Sequence, residues 1–442
     1  MLTISPFDSE LYHSLLSDPE AGHYLGDNAQ IKAMLKVEAE LALAQADCGL
    51  IPENAARAIA QMATDIDLPA SALAAETGNA GVAVPALVKE LKKNLPIKYA
   101  RWVHFGATSQ DIIDTALVLN CRELLNLYEV RLRDVIKQLH KLAIAHRNTL
   151  IAGRTRTQQA VPMSFGLKVA NWLAPLLRQQ ERLKELKPRF LKLQLAGAVG
   201  TLSAMQEQAT AVTERLAKRL NLTAGYNWHT QRDSVVELAN WLGLTTGLLG
   251  KMGQDWLLLG QSEVGELTFT NGGGSSTMPQ KCNPVSAELL VTLARHNAGQ
   301  LGQMHQAMLH EHERSGSAWT LEWLVLPTML MATAAALRHS NNALTHIQVN
   351  ADNMLTNLEL YNGVIYAEAA TFALAKSMSR DEASELVKTA CTKALNGKKH
   401  LLKLIQEQCG IKLSLADLQE HLLTGGATQP WLDSILHAAE QT

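Results

Sequence analysis

Apolar residues recur at helical spacing along most of this chain, and the alternating apolar–polar runs of half-buried strands are nearly absent. Residues 31–50 read IKAMLKVEAELALAQADCGL and meet a stop at Gly49 and Pro52. A second helix is capped within TSQD, starting at Ser109 or Asp111, and its pattern carries on to about His146. At ~1.5 Å per residue it would be roughly 50 Å long, far beyond the average globular helix. Further long helices are predicted over residues 164–186, 234–268, 284–312 and 321–358. Pro188 should end the first of these, while Pro284 and Pro327 should sit near helix starts, where a missing N–H costs least. Helices of this length pack side by side, which predicts an all-α fold around a central bundle. In 234–268 apolar residues such as Val235, Leu238, Trp241, Leu248, Met252 and Trp256 occupy most of the circumference. A helix apolar nearly all round is buried on most sides, so several subunits are expected to associate.

Breaks near residues 110 and 355 predict three parts: a helical N-terminal domain (1–110), a central long-helix bundle (111–355) and a helical C-terminal domain (356–442). The 442 residues are 47% apolar and 19% charged, enough for a large core, and the net charge of −2 carries no basic excess. No nucleic-acid partner is therefore expected. An acidic small molecule stays compatible, because a few local cations can bind it. Five scattered cysteines show no pairing or metal-ligand spacing, so neither disulfides nor a metal site is expected, and a reducing cytoplasm fits. The N-terminal stretch lacks a signal-peptide pattern, and no uninterrupted apolar run approaches the ~18 residues of a membrane span.

Five polar stretches interrupt the helical pattern: RWVHFGATSQDIIDT (101–115), GRTRTQQAVP (153–162), WHTQRD (228–233), NGGGSSTMPQKCNPV (271–285) and HEHERSGSAW (310–319). Taken singly, most have plain structural explanations. TSQD reads as an N-cap, GRTRTQQ as a solvated turn, and His104, His229 and His312 as structural histidines. The glycine stretch is harder to explain this way, since a connector needs one or two turn residues rather than GGGSS followed by MPQKCNP. Small residues let backbone N–H groups approach an anion, Lys281 adds a compact cation, and Asn283 adds donors and an acceptor. Among such groups a serine could act as a base toward a carbon-bound proton next to a carboxylate. No GxSxG elbow is present, which argues against a hydrolase.

GSSTMPQKCNP (274–284) resembles the signature loop of the fumarase/aspartase superfamily, which includes adenylosuccinate and argininosuccinate lyases. GATSQDIID and GRTRTQQAVP fall in order at its other two shared regions. Within the superfamily HFGATSQDIIDT, LAGAVGTLSA, WHTQRD and EHERSGSAWTLEW look most like the bacterial 3-carboxy-cis,cis-muconate cycloisomerases. The resemblance implies a three-domain, mainly helical subunit whose tetramer forms a twenty-helix core, each active site drawing on three subunits. It implies Ser275 as general base and Lys281 and Asn283 as carboxylate contacts. Thr108 and Ser109 become binding residues, with His104 and Gln158 from the same shared regions beside them. Arg314 is placed near the lactone. Many lyases of the superfamily read GRTH where this chain reads GRTR, with Arg156 in the histidine's place. An amine leaving group needs protonation, whereas a carboxylate, with a pKa of about 4, does not. An always-charged arginine can hold that carboxylate but makes a poor acid.

The implied reaction closes 3-carboxy-cis,cis-muconate, a tricarboxylate diene, to 4-carboxymuconolactone, a step of the β-ketoadipate pathway, with no metal or organic cofactor. The implied catalytic set is Ser275, Lys281, Arg156 and Arg314. The alternatives are β-elimination of the adenylosuccinate or argininosuccinate lyase type, and a non-catalytic structural protein on the same scaffold.

Overall fold

The computed structural model describes residues 4–270, 272–274, 278, 281–397 and 399–441. Helices dominate, as the apolar periodicity requires. Six are long: α1 (Asp27–Asp47), α2 (Ser109–Ala145), α3 (Phe165–Phe190), α4 (Asp233–Leu259), α5 (Val285–Gln306) and α6 (Gly316–His346). Short antiparallel pairs join β1 (Leu150–Thr155) to β2 (Gln158–Ser164), β3 (Leu267–Phe269) to β6 (Ile347–Val349), and β4 (Gly273–Gly274) to β5 (Cys282–Asn283).

Proline placement differs from expectation twice. Helix α3 runs through Pro188 to Phe190. Residue 188 lacks the N–H that would bond the carbonyl of Lys184, but Lys184 is exposed, so water can take its place, while Phe190 gains burial. Pro327 lies inside α6 rather than at its start. An interior proline costs about 3 kcal/mol, and here Val325, Leu326, Met329 and Leu330 are buried on both sides of it. Three helices are also shorter than their periodicity suggests, α5 ending at Gln306 rather than near His312. Helix α4 stops at Leu259 and α6 at His346, because the chain beyond each one forms the β3–β6 pair, with Leu267 opposite Val349 and Phe269 opposite Ile347. Three-residue strands like these are too short to produce a readable alternation.

The chain divides into two compact units. One comprises Met1–Arg131, Gln179–Gly247 and Leu293–Arg338; the other comprises Leu132–Arg178, Leu248–Thr292 and His339–Thr442. In the first, buried polar residues lock helix to helix. The Tyr128 hydroxyl donates to the carbonyl of Leu330 at 2.7 Å, and its ring stacks on Trp241 at 6.0 Å. Gln179 donates to the Trp241 carbonyl at 2.9 Å, and the Trp241 indole N–H returns a bond to the Gln179 carbonyl at 3.0 Å. A buried amide left unpaired costs about 1–3 kcal/mol, so such reciprocal bonds fix the register of neighbouring helices. The second unit holds the β1–β2 hairpin and the C-terminal helices, with Ile365, Tyr366 and Leu418 packed on Leu150 and Ala152.

Helix α6 is long and apolar enough to cross a membrane by length and composition, and 67% of its most apolar window is buried within the chain, the pattern of a core helix. Helix α4 keeps Leu244 and Leu258 exposed in the single chain.

Candidate functional site

In the first unit the site is built on the first turn of α2. Its terminal N–H groups need acceptors, and the anion-favouring end of the helix suits a carboxylate. Asp111 supplies it. Oδ2 accepts from the Thr108 N–H at 3.0 Å and the Gly197 N–H at 2.9 Å, and Oδ1 from the Ala196 N–H at 2.8 Å and the Gln194 amide at 3.2 Å. Burial pushes this carboxyl up to about 6, against the N–H donors that favour its charged form. Asp111 therefore fixes Thr108 and Ser109 at the helix start and pins the turn at 196–197 beside them.

One turn further, Asp114 meets a fully buried arginine. Arg232 bonds Asp114 through Nη1 at 2.7 Å and Nη2 at 3.2 Å, and bonds Glu322 through Nε at 2.8 Å and Nη2 at 2.5 Å. Burial alone would lower the Arg232 pKa, but the two carboxylates raise it. The Trp319 indole N–H donates to Asp114 Oδ1 at 3.1 Å, and Gln110 Nε2 to Asp114 Oδ2 at 3.1 Å. The His310 and His229 side chains are buried beside the cluster, and burial lowers the pKa of both, which favours the neutral imidazoles.

Arg314 is exposed above these groups. Its Nε donates to Gln110 Oε1 at 3.1 Å, and Nη2 to the carbonyls of Ala198 at 3.0 Å and Gly197 at 3.4 Å. All three acceptors are neutral, so the positive charge is held in place without being cancelled. A cavity of about 840 Å³ is lined by Arg314, Ser315, Gly316 and Ser317 with Ala80–Val82 and Trp319. His104 lies in the same unit. Its backbone is left-handed at φ 64°, and Nδ1 lies 2.6 Å from Oε1 of the buried Glu38. Burial acts to lower its pKa, but the Glu38 carboxylate outweighs this, and the imidazolium is favoured.

In the second unit the stretch read as a solvated turn is a tight hairpin. Thr155 pairs with Gln158, leaving a two-residue turn of Arg156 at φ 50° and Thr157 at φ 66°. Both residues in the left-handed region make a type I′ turn, which matches strand twist but normally takes Asn-Gly. A β-branched Thr there is strained, and such strain is characteristic of functional positions. The hairpin is anchored from below. Arg154 forms two parallel bonds to the fully buried Glu266 at 2.8 and 2.9 Å, Asn357 donates to Glu266 at 2.8 Å, and Gln159 donates to the Asn357 carbonyl at 2.9 Å. Arg156 and Gln158 are left exposed at the tip.

The signature stretch closes on itself in the same unit. Gly273 pairs with Asn283 and Gly274 with Cys282, so β4 and β5 form a neck. Gly272 is required for space rather than for φ: a Cβ there would collide with Cys282 Sγ and sit 2.7 Å from the Asn283 carbonyl oxygen. Lys281 is exposed and precedes the neck residue Cys282. Ser275, which follows Gly274, lies outside the described residues.

The predicted residues thus fall into two groups: His104, Thr108, Ser109 and Arg314 in the first unit, and Arg156, Gln158, Lys281 and Asn283 in the second. Sequence reading gave Gln110 and Asp111 only a capping role within TSQD, and none to Asp114, Arg232 or Glu322. The signal available was the 110/111/114 spacing, which sets polar groups on one face at a buried helix start. Among the described residues no group of three or more His, Cys, Asp or Glu could hold a metal ion.

Comparison with known proteins adds the following. A family model described as lyase matches residues 21–299. The 3-carboxy-cis,cis-muconate cycloisomerase of Acinetobacter baylyi is 41% identical over 414 residues, 91% of this chain and 92% of that protein. The trans-aconitate decarboxylase 1 of Mycosarcoma maydis is 36% identical, over 96% of this chain and 87% of its own length. The crystal structure of 3-carboxy-cis,cis-muconate lactonizing enzyme from Pseudomonas putida aligns with a TM-score of 0.91 at 37% identity, covering 98% of this chain and 99% of that one.

Proposed function

Because the chain belongs to this lyase family, we propose that it is a cycloisomerase closing 3-carboxy-cis,cis-muconate to 4-carboxymuconolactone. The observation that carries this reading is two exposed guanidinium groups, Arg156 at the tip of the anchored hairpin and Arg314 bonded to Gln110, neither ion-paired to a carboxylate among the described residues. Uncompensated arginines suit a polyanionic substrate and a carboxylate that acts as nucleophile or leaving group.

In the lactone-opening direction Ser275 takes the proton from carbon next to a carboxylate. Charge gathers on that carboxylate, and Lys281, Asn283 and backbone N–H groups of the glycine stretch stabilise it. The carbon–oxygen bond of the ring then breaks, and the electron pair leaves on the departing carboxylate, which Arg156 and Arg314 hold. Ring closure is the reverse, with the nucleophilic carboxylate pre-oriented against the double bond. Thr108, Ser109, Gln158 and His104 bind the remaining carboxylates. The subunit works as a cytoplasmic homotetramer. Exposed Leu244 and Leu258 on α4 support the association, and five free cysteines support the compartment.

The test is loss of diene absorbance when purified protein meets 3-carboxy-cis,cis-muconate without added metal. Turnover is expected with the wild type and nearly abolished in Ser275→Ala. An inert wild type, or a Ser275→Ala variant as fast as wild type, rejects the assignment. The Mycosarcoma maydis relative favours one second reading, decarboxylation of an unsaturated tricarboxylate; carbon dioxide release from trans-aconitate by the same preparation would establish it.

A further inference from the structure

Gln110 is fully buried on the first turn of α2, and its amide touches the next turn of α2 and two other segments of the first unit. Oε1 accepts from Arg314 Nε at 3.1 Å, while Nε2 donates to Asp114 Oδ2 at 3.1 Å and to the His229 carbonyl at 2.7 Å. The orientation of the amide is dictated by its neighbours. Turned over, its NH2 would face the guanidinium donors and its oxygen would face a carboxylate and a carbonyl, like against like. Asp114 is itself immobilised by Arg232 and Trp319, and Arg232 by Glu322. The chain of bonds from Glu322 to Arg314 therefore has no free member, and its link to Arg314 is neutral. A carboxylate in that place would hold Arg314 equally well but cancel the charge an anionic substrate needs.

We propose that Gln110 is a positioning residue for substrate carboxylate recognition, fixing the Arg314 guanidinium from the buried Arg232–Asp114–Glu322 cluster while leaving its charge available. The proposal rests on the reading that Arg314 binds a carboxylate of the substrate.

The test is a double-variant cycle with wild type, Gln110→Met, Arg314→Ala and the double variant. Calorimetric binding of tricarballylate, a saturated tricarboxylate, is read across all four proteins, and steady-state turnover of 3-carboxy-cis,cis-muconate in those that keep Arg314. Gln110→Met is expected to raise KM and weaken tricarballylate about tenfold, with kcat changed less than about threefold. On the Arg314→Ala background the same change should add almost nothing. Equal effects of Gln110→Met with and without Arg314 would overturn the proposal, as would unchanged binding in the single variant. Gln110→Asn, which keeps both amide functions one methylene short, should move both readouts the same way, and it carries the test if the Met variant fails to fold. A wild type that binds tricarballylate with this coupling but leaves carboxymuconate unchanged would remove the substrate assignment and keep the positioning role.

Discussion

Asp111 shows how one residue can serve folding and chemistry with opposite pH signs. With its carboxyl raised from 3.8 to about 6, the folded chain holds that proton more tightly than the unfolded one. From this group alone, stability is greatest below about pH 4 and falls by about 3 kcal/mol as pH rises to about 6. Function runs the other way, because protonation weakens the acceptors that hold Thr108 and the 196–197 turn against Arg314. An acid limb near pH 6 is expected in kcat/KM, and Asp111→Asn should abolish it in a pH–rate profile. His104 cannot be its source, since the Glu38-stabilised imidazolium is lost only as pH rises. At the hairpin tip Arg156→Lys keeps the charge but loses two-point binding of a carboxylate. A fall in kcat/KM of about tenfold to a hundredfold is expected from steady-state kinetics, in line with losing one charge-assisted hydrogen bond.

The β1–β2 hairpin is the element in which strain and anchoring meet. Thr157 is held left-handed at φ 66°, where glycine is the favoured residue. Thr157→Gly should therefore stabilise the protein by about 1 kcal/mol in a denaturant titration; a loss of stability would mean the turn is not strained. The anchor below the turn has the opposite character. Glu266 is fully buried and balances Arg154, so Glu266→Gln leaves an uncompensated guanidinium. A loss of about 3 kcal/mol is expected, with lower turnover because Arg156 sits on the loosened hairpin.

Taken as a whole, the molecule carries its described site residues in two groups, Lys281 and Arg156 in one unit and Arg314 with the α2 start in the other. In the proposed tetramer, residues from different subunits would complete each site. Inactive Ser275→Ala and Arg314→Ala proteins, mixed under conditions that exchange subunits, should then regain turnover, because some sites receive both intact residues. Light scattering should report four chains of 48.2 kDa. A monomer by that measurement, or a mixture that stays inert, would end the shared-site reading.

The chain by itself determined the six long helices, through apolar periodicity sustained over many turns, and the signature stretch at 274–284, through residue types that no core or simple connector uses. It also singled out GRTRTQQ, although a type I′ turn built from Arg and Thr carries no glycine to announce it. Only the tertiary structure decided where α4 and α6 end, since the three-residue pair β3–β6 gains its partners from segments about 80 residues apart. It alone joined Gln110, Asp114, Arg232, Glu322 and Arg314, which come from three separate stretches of chain. Periodicity is a local signal, repeated at every turn. A buried charge cluster exists only once distant residues have left water together, and no local spacing records that event.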